Sequence, residues 1–93
     1  MRNEMITLID KLQSAGIPHE VTVQTEFNNA LHICYPSQKH RACSVICNEY
    51  SYGGKEGLLE IWGLADRFAD VQGWLTANDV FTRIYTHYIN SAD

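Results

Sequence analysis

The side chains best suited to chemistry in this 93-residue sequence fall between positions 32 and 47: His32, Cys34, His40, Cys43 and Cys47. Imidazole and thiolate are the ligands zinc prefers, so these residues suggest a zinc- or small-ligand-binding regulatory site across one strand–loop–strand unit. The spacing is unlike a zinc ribbon, however. Cys43 and Cys47 are four residues apart, about 13 Å along an extended strand, too far for one ion unless the strand bulges. A hairpin symmetric about Gln38 and Lys39 would set Cys34 opposite Cys43, near disulfide distance. Against that, three cysteines is an odd number at low density, which favours reduced thiols. A nucleophilic Cys–His pair would also have to come from this set. No glycine elbow, helix-terminal cysteine or oxyanion-hole pattern accompanies it, so no catalytic residue, metal ligand or cofactor is assigned and the thiols are read as structural.

Two further segments invite a chemical reading. Lys39-His40-Arg41 is a short basic loop that could meet phosphate or an acidic partner, but it lacks interleaved aromatics. Gly53-Gly-Lys-Glu-Gly57 joins two apolar runs of strand length and opens no helix, so it is a turn and not a phosphate loop. The formal charge of −4 opposes affinity built on phosphate neutralisation, and direct nucleic-acid binding is not expected. Aromatic and acidic residues around the Gly53–Gly57 turn are the better candidates for binding. Tyr50, Tyr52 and Trp62 would make efficient anchors where exposed, and Glu56, Glu60, Asp66 and Asp70 could present charge beside them to a basic groove on another protein.

These candidates need elements to position them. Met5, Leu8, Ile9, Leu12 and Ala15 recur at helical spacing over 2–15, with Gly16 placed to end the helix and Pro18 unable to continue it. Alternation over 19–27 predicts a strand, Asn28-Asn29 a tight turn, and 30–35 a second strand. Residues 43–52 read as a third strand and 58–64 as a fourth, making a central hairpin. The segment Val71–Leu75 reads as a short helical turn or an irregular crossing. Thr76 and Asp79 form a capping box that opens a helix carrying Val80, Phe81, Ile84, Tyr85, Tyr88 and Ile89.

The expected fold is therefore α+β: a single domain over 1–93, with a four-stranded antiparallel meander and N- and C-terminal helices packed on one face (α-β-β-β-β-α). So short a chain buries only about 60 to 65% of its unfolded surface, and homodimerisation would cover more. No apolar run reaches the roughly 20 residues of a membrane helix, and no basic start precedes an apolar core with a cleavage site. A soluble, cytoplasmic protein without membrane partners is expected.

Two stretches, Gly57-Leu-Leu-Glu-Ile-Trp-Gly-Leu64 and Val71-Gln-Gly-Trp-Leu-Thr-Ala-Asn-Asp-Val-Phe81, give the chain its character. With them it resembles small uncharacterised proteins encoded by phages and prophages of Gram-positive bacteria. Its size, mild acidity and element order are also similar in outline to small anti-CRISPR inhibitors, an architectural analogy only. These resemblances imply an accessory protein in the host cytoplasm that binds and inhibits or modulates a host protein, a defence nuclease being one candidate, without catalysis.

Overall fold

The computed structural model describes residues 3–65 and 68–91. The order is α1 (Glu4–Ala15), β1 (Glu20–Gln24), β2 (Ala30–Pro36), β3 (Arg41–Ile46), β4 (Leu59–Trp62), β5 (Val71–Leu75) and α2 (Ala77–Ser91). All five strands form one antiparallel sheet in sequence order. The α+β class and the terminal helices are as expected, but among the described residues there are five strands and not four. Val71–Leu75 is the fifth. It escapes period-two reading because it carries an extra residue: Leu59 pairs with Leu75 while Ile61 pairs with Gln72, and Trp74 takes a positive φ of 55°.

Strand alternation gives the sheet two unlike faces. Ile33, Val45 and Ile61 lie side by side in register and are buried with Tyr35, Cys43, Leu59 and Leu75. Met5, Leu8 and Leu12 of α1 and Ala77, Val80 and Ile84 of α2 complete the same core, so both helices cover this face. On the other face the register aligns Thr22, His32, Ile46 and Glu60 in one row, and Glu20, Cys34, Ser44, Trp62 and Val71 in the next. Among the described residues no helix covers those rows.

The helix ends follow local chemistry. Gly16, at φ 67°, donates to Gln13 O at 3.1 Å, and Ile17 N donates to Leu12 O at 3.1 Å, the paired bonds of a Schellman turn. At α2, Thr76 N donates to Asp79 Oδ2 at 2.9 Å and Asp79 N donates to Thr76 Oγ1 at 3.2 Å. The Thr76 backbone N–H, with help from its hydroxyl, holds the Asp79 carboxyl below the usual carboxylate range. A carboxyl lowered in the folded state binds fewer protons there than in the unfolded chain. Its stabilisation is therefore complete above the unfolded pKa and is lost as pH falls through the folded one. Asp79→Asn is expected to unfold at a lower temperature than the parent near pH 7, with the gap narrowing as the pH falls through the lowered pKa of the carboxyl, read by thermal circular dichroism. A gap that does not change with pH would mean that the carboxylate is not what caps α2.

Among the described residues no helix is long and apolar enough to cross a membrane.

Candidate functional site

The His and Cys residues do not converge. Tyr35, not Cys34, stands opposite Cys43, because Cys34 pairs with Ser44. This one-residue offset from a symmetric hairpin puts the two thiols on opposite faces of the sheet. All three cysteines are free and buried, and burial, with Cys34 nearby, pushes the Cys43 thiol up to about 12. His40 is exposed in the β2–β3 loop beside Lys39 and Arg41. Among the described residues no three His, Cys, Asp or Glu side chains come together as metal ligands would.

The sheet does bring one Cys–His pair together. Cys34 Sγ lies 3.6 Å from His32 Nε2, and His32 Nδ1 lies 3.3 Å from Thr22 Oγ1. A nucleophile, a base and an orienting hydroxyl in sequence would suit covalent catalysis. Access is the obstacle, since Cys34 has no exposed surface. Burial first, and the Arg41 charge second, also hold the His32 imidazole below its usual pKa, which disfavours a thiolate–imidazolium pair.

The aromatic set is where the residues do assemble. Residues 43–52 do not form one long strand. β3 stops at Ile46, and the chain folds into a loop over 47–58 with a 3-10 turn at Gly54–Glu56. Asn48 directs it: its Oδ1 accepts from Tyr50 N at 2.8 Å, and its backbone oxygen accepts from Ser51 N at 3.1 Å and Ser51 Oγ at 2.9 Å. Such side-chain bonds replace the strand ladder. Asn48 Nδ2 also donates to Gln24 Oε1 at 3.2 Å, tying the loop to β1, while Trp74 N donates to Tyr52 O at 3.1 Å and ties it to β5.

The result is a cleft of about 300 Å³ on the helix-free face, walled by Phe27, Tyr50, Tyr52 and Trp62, with Ile46, Asn48, Ser51 and Glu60 completing it. Tyr50 is 74% exposed, Tyr52 55% and Trp62 52%. Phe27 and Tyr50 meet at 5.6 Å between ring centres, and Tyr52 stacks on Trp74 at 5.4 Å with 19° between planes. Glu60 is only 5% exposed. Its Oε1 accepts from Tyr52 N at 2.9 Å and its Oε2 accepts from Trp62 Nε1 at 2.6 Å. One carboxylate thus fixes the loop backbone and the tryptophan edge together. A second cleft, also of about 300 Å³, lies beyond Tyr52 and is lined by Glu49, Lys55, Glu56 and Trp74.

Tyr50, Tyr52, Glu60 and Trp62 therefore share one cleft, and Glu56 lies in the next. Asp70 lines neither; it is exposed, and its backbone oxygen accepts from Gly63 N at 3.3 Å. Asp66 lies outside the described residues. Sequence reasoning missed Phe27 and Asn48 as parts of the site and gave Trp74 no special place. The Asn48-x-x-Ser51 spacing was the available signal, since an asparagine followed by serine near glycines favours a side-chain-directed turn. A comparison with protein-family models, curated proteins and solved structures finds no match, so the site has to be understood from its own geometry.

Proposed function

We propose that this protein is a non-enzymatic binding module that seats a protein partner on its helix-free sheet face. The observation that carries the reading is the ring of exposed Tyr50, Tyr52 and Trp62 around the buried Glu60. Aromatic side chains in water are favourable to bury against a partner and lose little conformational freedom in doing so, which is why they dominate binding hot spots. Here the Trp62 side chain is held by Glu60 before binding, and the backbone that carries Tyr52 and Tyr50 is held by Glu60 and Asn48 respectively. Pre-ordering of this kind lowers the entropy lost on association.

The resemblance to phage and prophage proteins supports a bacterial host protein as the partner and the host cytoplasm as the place of action, with a defence nuclease as the candidate to test first. Inhibition or modulation would follow from covering part of the partner's surface. Direct contact with nucleic acid is disfavoured because Glu49, Glu56 and Glu60 stand in the two clefts against the single ammonium of Lys55.

Immobilised parent protein and the Tyr50→Ala, Trp62→Ala double variant, exposed to lysate of a Gram-positive bacterium, test this. The parent is expected to retain a specific protein whose activity falls on binding, and the double variant to bind it at least about 100-fold more weakly, as loss of two hot-spot residues implies. Equal retention by both, or no specific partner alongside a bound small molecule, would sink the reading.

A further inference from the structure

We infer that the cleft over Glu60 is the seat of one arginine side chain presented by the partner. This rests on the protein-binding reading and specifies its chemistry. Four aromatic residues, Phe27, Tyr50, Tyr52 and Trp62, border a space of about 300 Å³. That is the lower end of small-molecule pockets and the scale of a single long side chain. Apolar ligands would suit the rings but not the floor.

The floor is a carboxylate. Glu60 accepts from the Tyr52 amide and the Trp62 indole, both neutral donors, so these two bonds bring no positive charge to it. Acceptance at both oxygens is the role of an ionised carboxylate, and each oxygen keeps capacity for a further donor. Aromatic faces attract cations through their quadrupole, most strongly where water is excluded. Aromatic residues around a carboxylate whose bonded donors are neutral therefore select a cation over a neutral or anionic group. Within that class guanidinium fits better than ammonium. It is planar and weakly hydrated, it stacks on aromatic faces, and its paired N–H groups match two carboxylate oxygens.

Charge beyond the cleft favours the same occupant. Glu49 and Glu56 stand in the adjoining cleft across Tyr52, and the whole chain carries −4. A single-stranded nucleic acid could stack bases on the same rings, but its phosphates would approach these carboxylates and meet little positive charge.

The test uses Nα-acetyl-argininamide, with Nα-acetyl-lysinamide and the neutral isostere Nα-acetyl-citrullinamide as comparisons, titrated into the 15N-labelled protein. The Trp62 indole N–H and Tyr52 amide resonances report on the two donors to Glu60. The arginine probe is expected to shift both, saturating on the order of 1 to 10 mM, with lysine weaker by several-fold and citrulline without effect. Raising the salt concentration should weaken the arginine response. Glu60→Gln, similar in size but uncharged, is expected to abolish it. Should that variant not fold, Tyr50→Ala removes an exposed wall of the cleft and should weaken binding about fivefold with the fold intact. Citrulline shifting the same resonances with the same midpoint, an oligothymidine binding there in place of arginine, or an unchanged midpoint in Tyr50→Ala would overturn the assignment. If the arginine probe fails while the double variant of the preceding section still loses its protein partner, the cation seat falls and the protein-binding surface stands. If the partner is absent as well, both fall.

Discussion

Replacing Ile61 with alanine is expected to remove a large fraction of this protein's stability without touching the aromatic cleft. Ile61 has no exposed surface and lies in register between Val45 of β3 and Gln72 of β5, beneath the two helices. Truncating a buried isoleucine loses its transfer free energy and leaves a cavity, together about 2 to 5 kcal/mol. A chain of this length is stable by roughly 5 to 14 kcal/mol in all. The melting temperature should therefore fall by on the order of 10 to 30 °C. Ile6 provides the comparison: the same side chain, 44% exposed on α1, where alanine is also the better helix former, so Ile6→Ala should change stability by less than about 1 kcal/mol. Equal losses in thermal and urea unfolding would refute the assignment of the helix-covered face as the core. Below its melting temperature Ile61→Ala should keep the Trp62 indole resonance of the parent, because the adjacent Glu60 points to the other face.

That contrast between neighbours shows what the sequence could and could not convey. Thr76 with Asp79, Gly16 before Pro18, and Asn28-Asn29 with φ values of 56° and 61° were all legible, since each needs only residues a few positions apart. An apolar run likewise placed Ile61 in a strand, and alternation placed Ile33 and Val45. It ran too far past Ile46, because the Asn48 side chain competes with the ladder for backbone partners, and it missed β5, where the bulge at Trp74 breaks the period. The candidate site was legible as a set of residue types but not as an arrangement. Tyr50 and Tyr52 lie on a loop and not a strand, Phe27 reaches them from the β1–β2 turn, and Trp74 from β5. Glu60 read as a surface charge. Its burial depends on the Tyr52 amide and the Trp62 indole, and only the folded loop brings that amide within reach.

The loop can be broken from a position that lines neither cleft. Gly54→Ala is expected to dismantle the cleft, because a Cβ there would overlap the backbone oxygen of Asn48 and the Ser51 hydroxyl. The hydroxyl can rotate away, but the carbonyl cannot easily move. It is held by Ser51 N and Ser51 Oγ, and the same residue's side chain holds Tyr50 N. Displacing it releases Tyr50 directly. Through the turn it also releases Tyr52, whose amide is a donor to Glu60 and whose oxygen anchors Trp74. Forcing one extra carbon into so tight a contact costs about 1 to 3 kcal/mol. The larger effect is on recognition: partner affinity should fall at least about tenfold, with the Tyr50, Tyr52 and Trp62 resonances displaced and those of the last turns of α1 and α2, which have no bond to this loop, unmoved. Gly16→Ala separates this from a general backbone penalty. It strains a left-handed residue, at about 1 to 2 kcal/mol, but its Cβ would meet nothing within 4 Å, so stability drops while the cleft and its affinity persist. Full affinity and unshifted resonances in Gly54→Ala would show that the Asn48 turn does not hold the aromatic ring in place, and the pre-ordered binding surface would lose its structural basis.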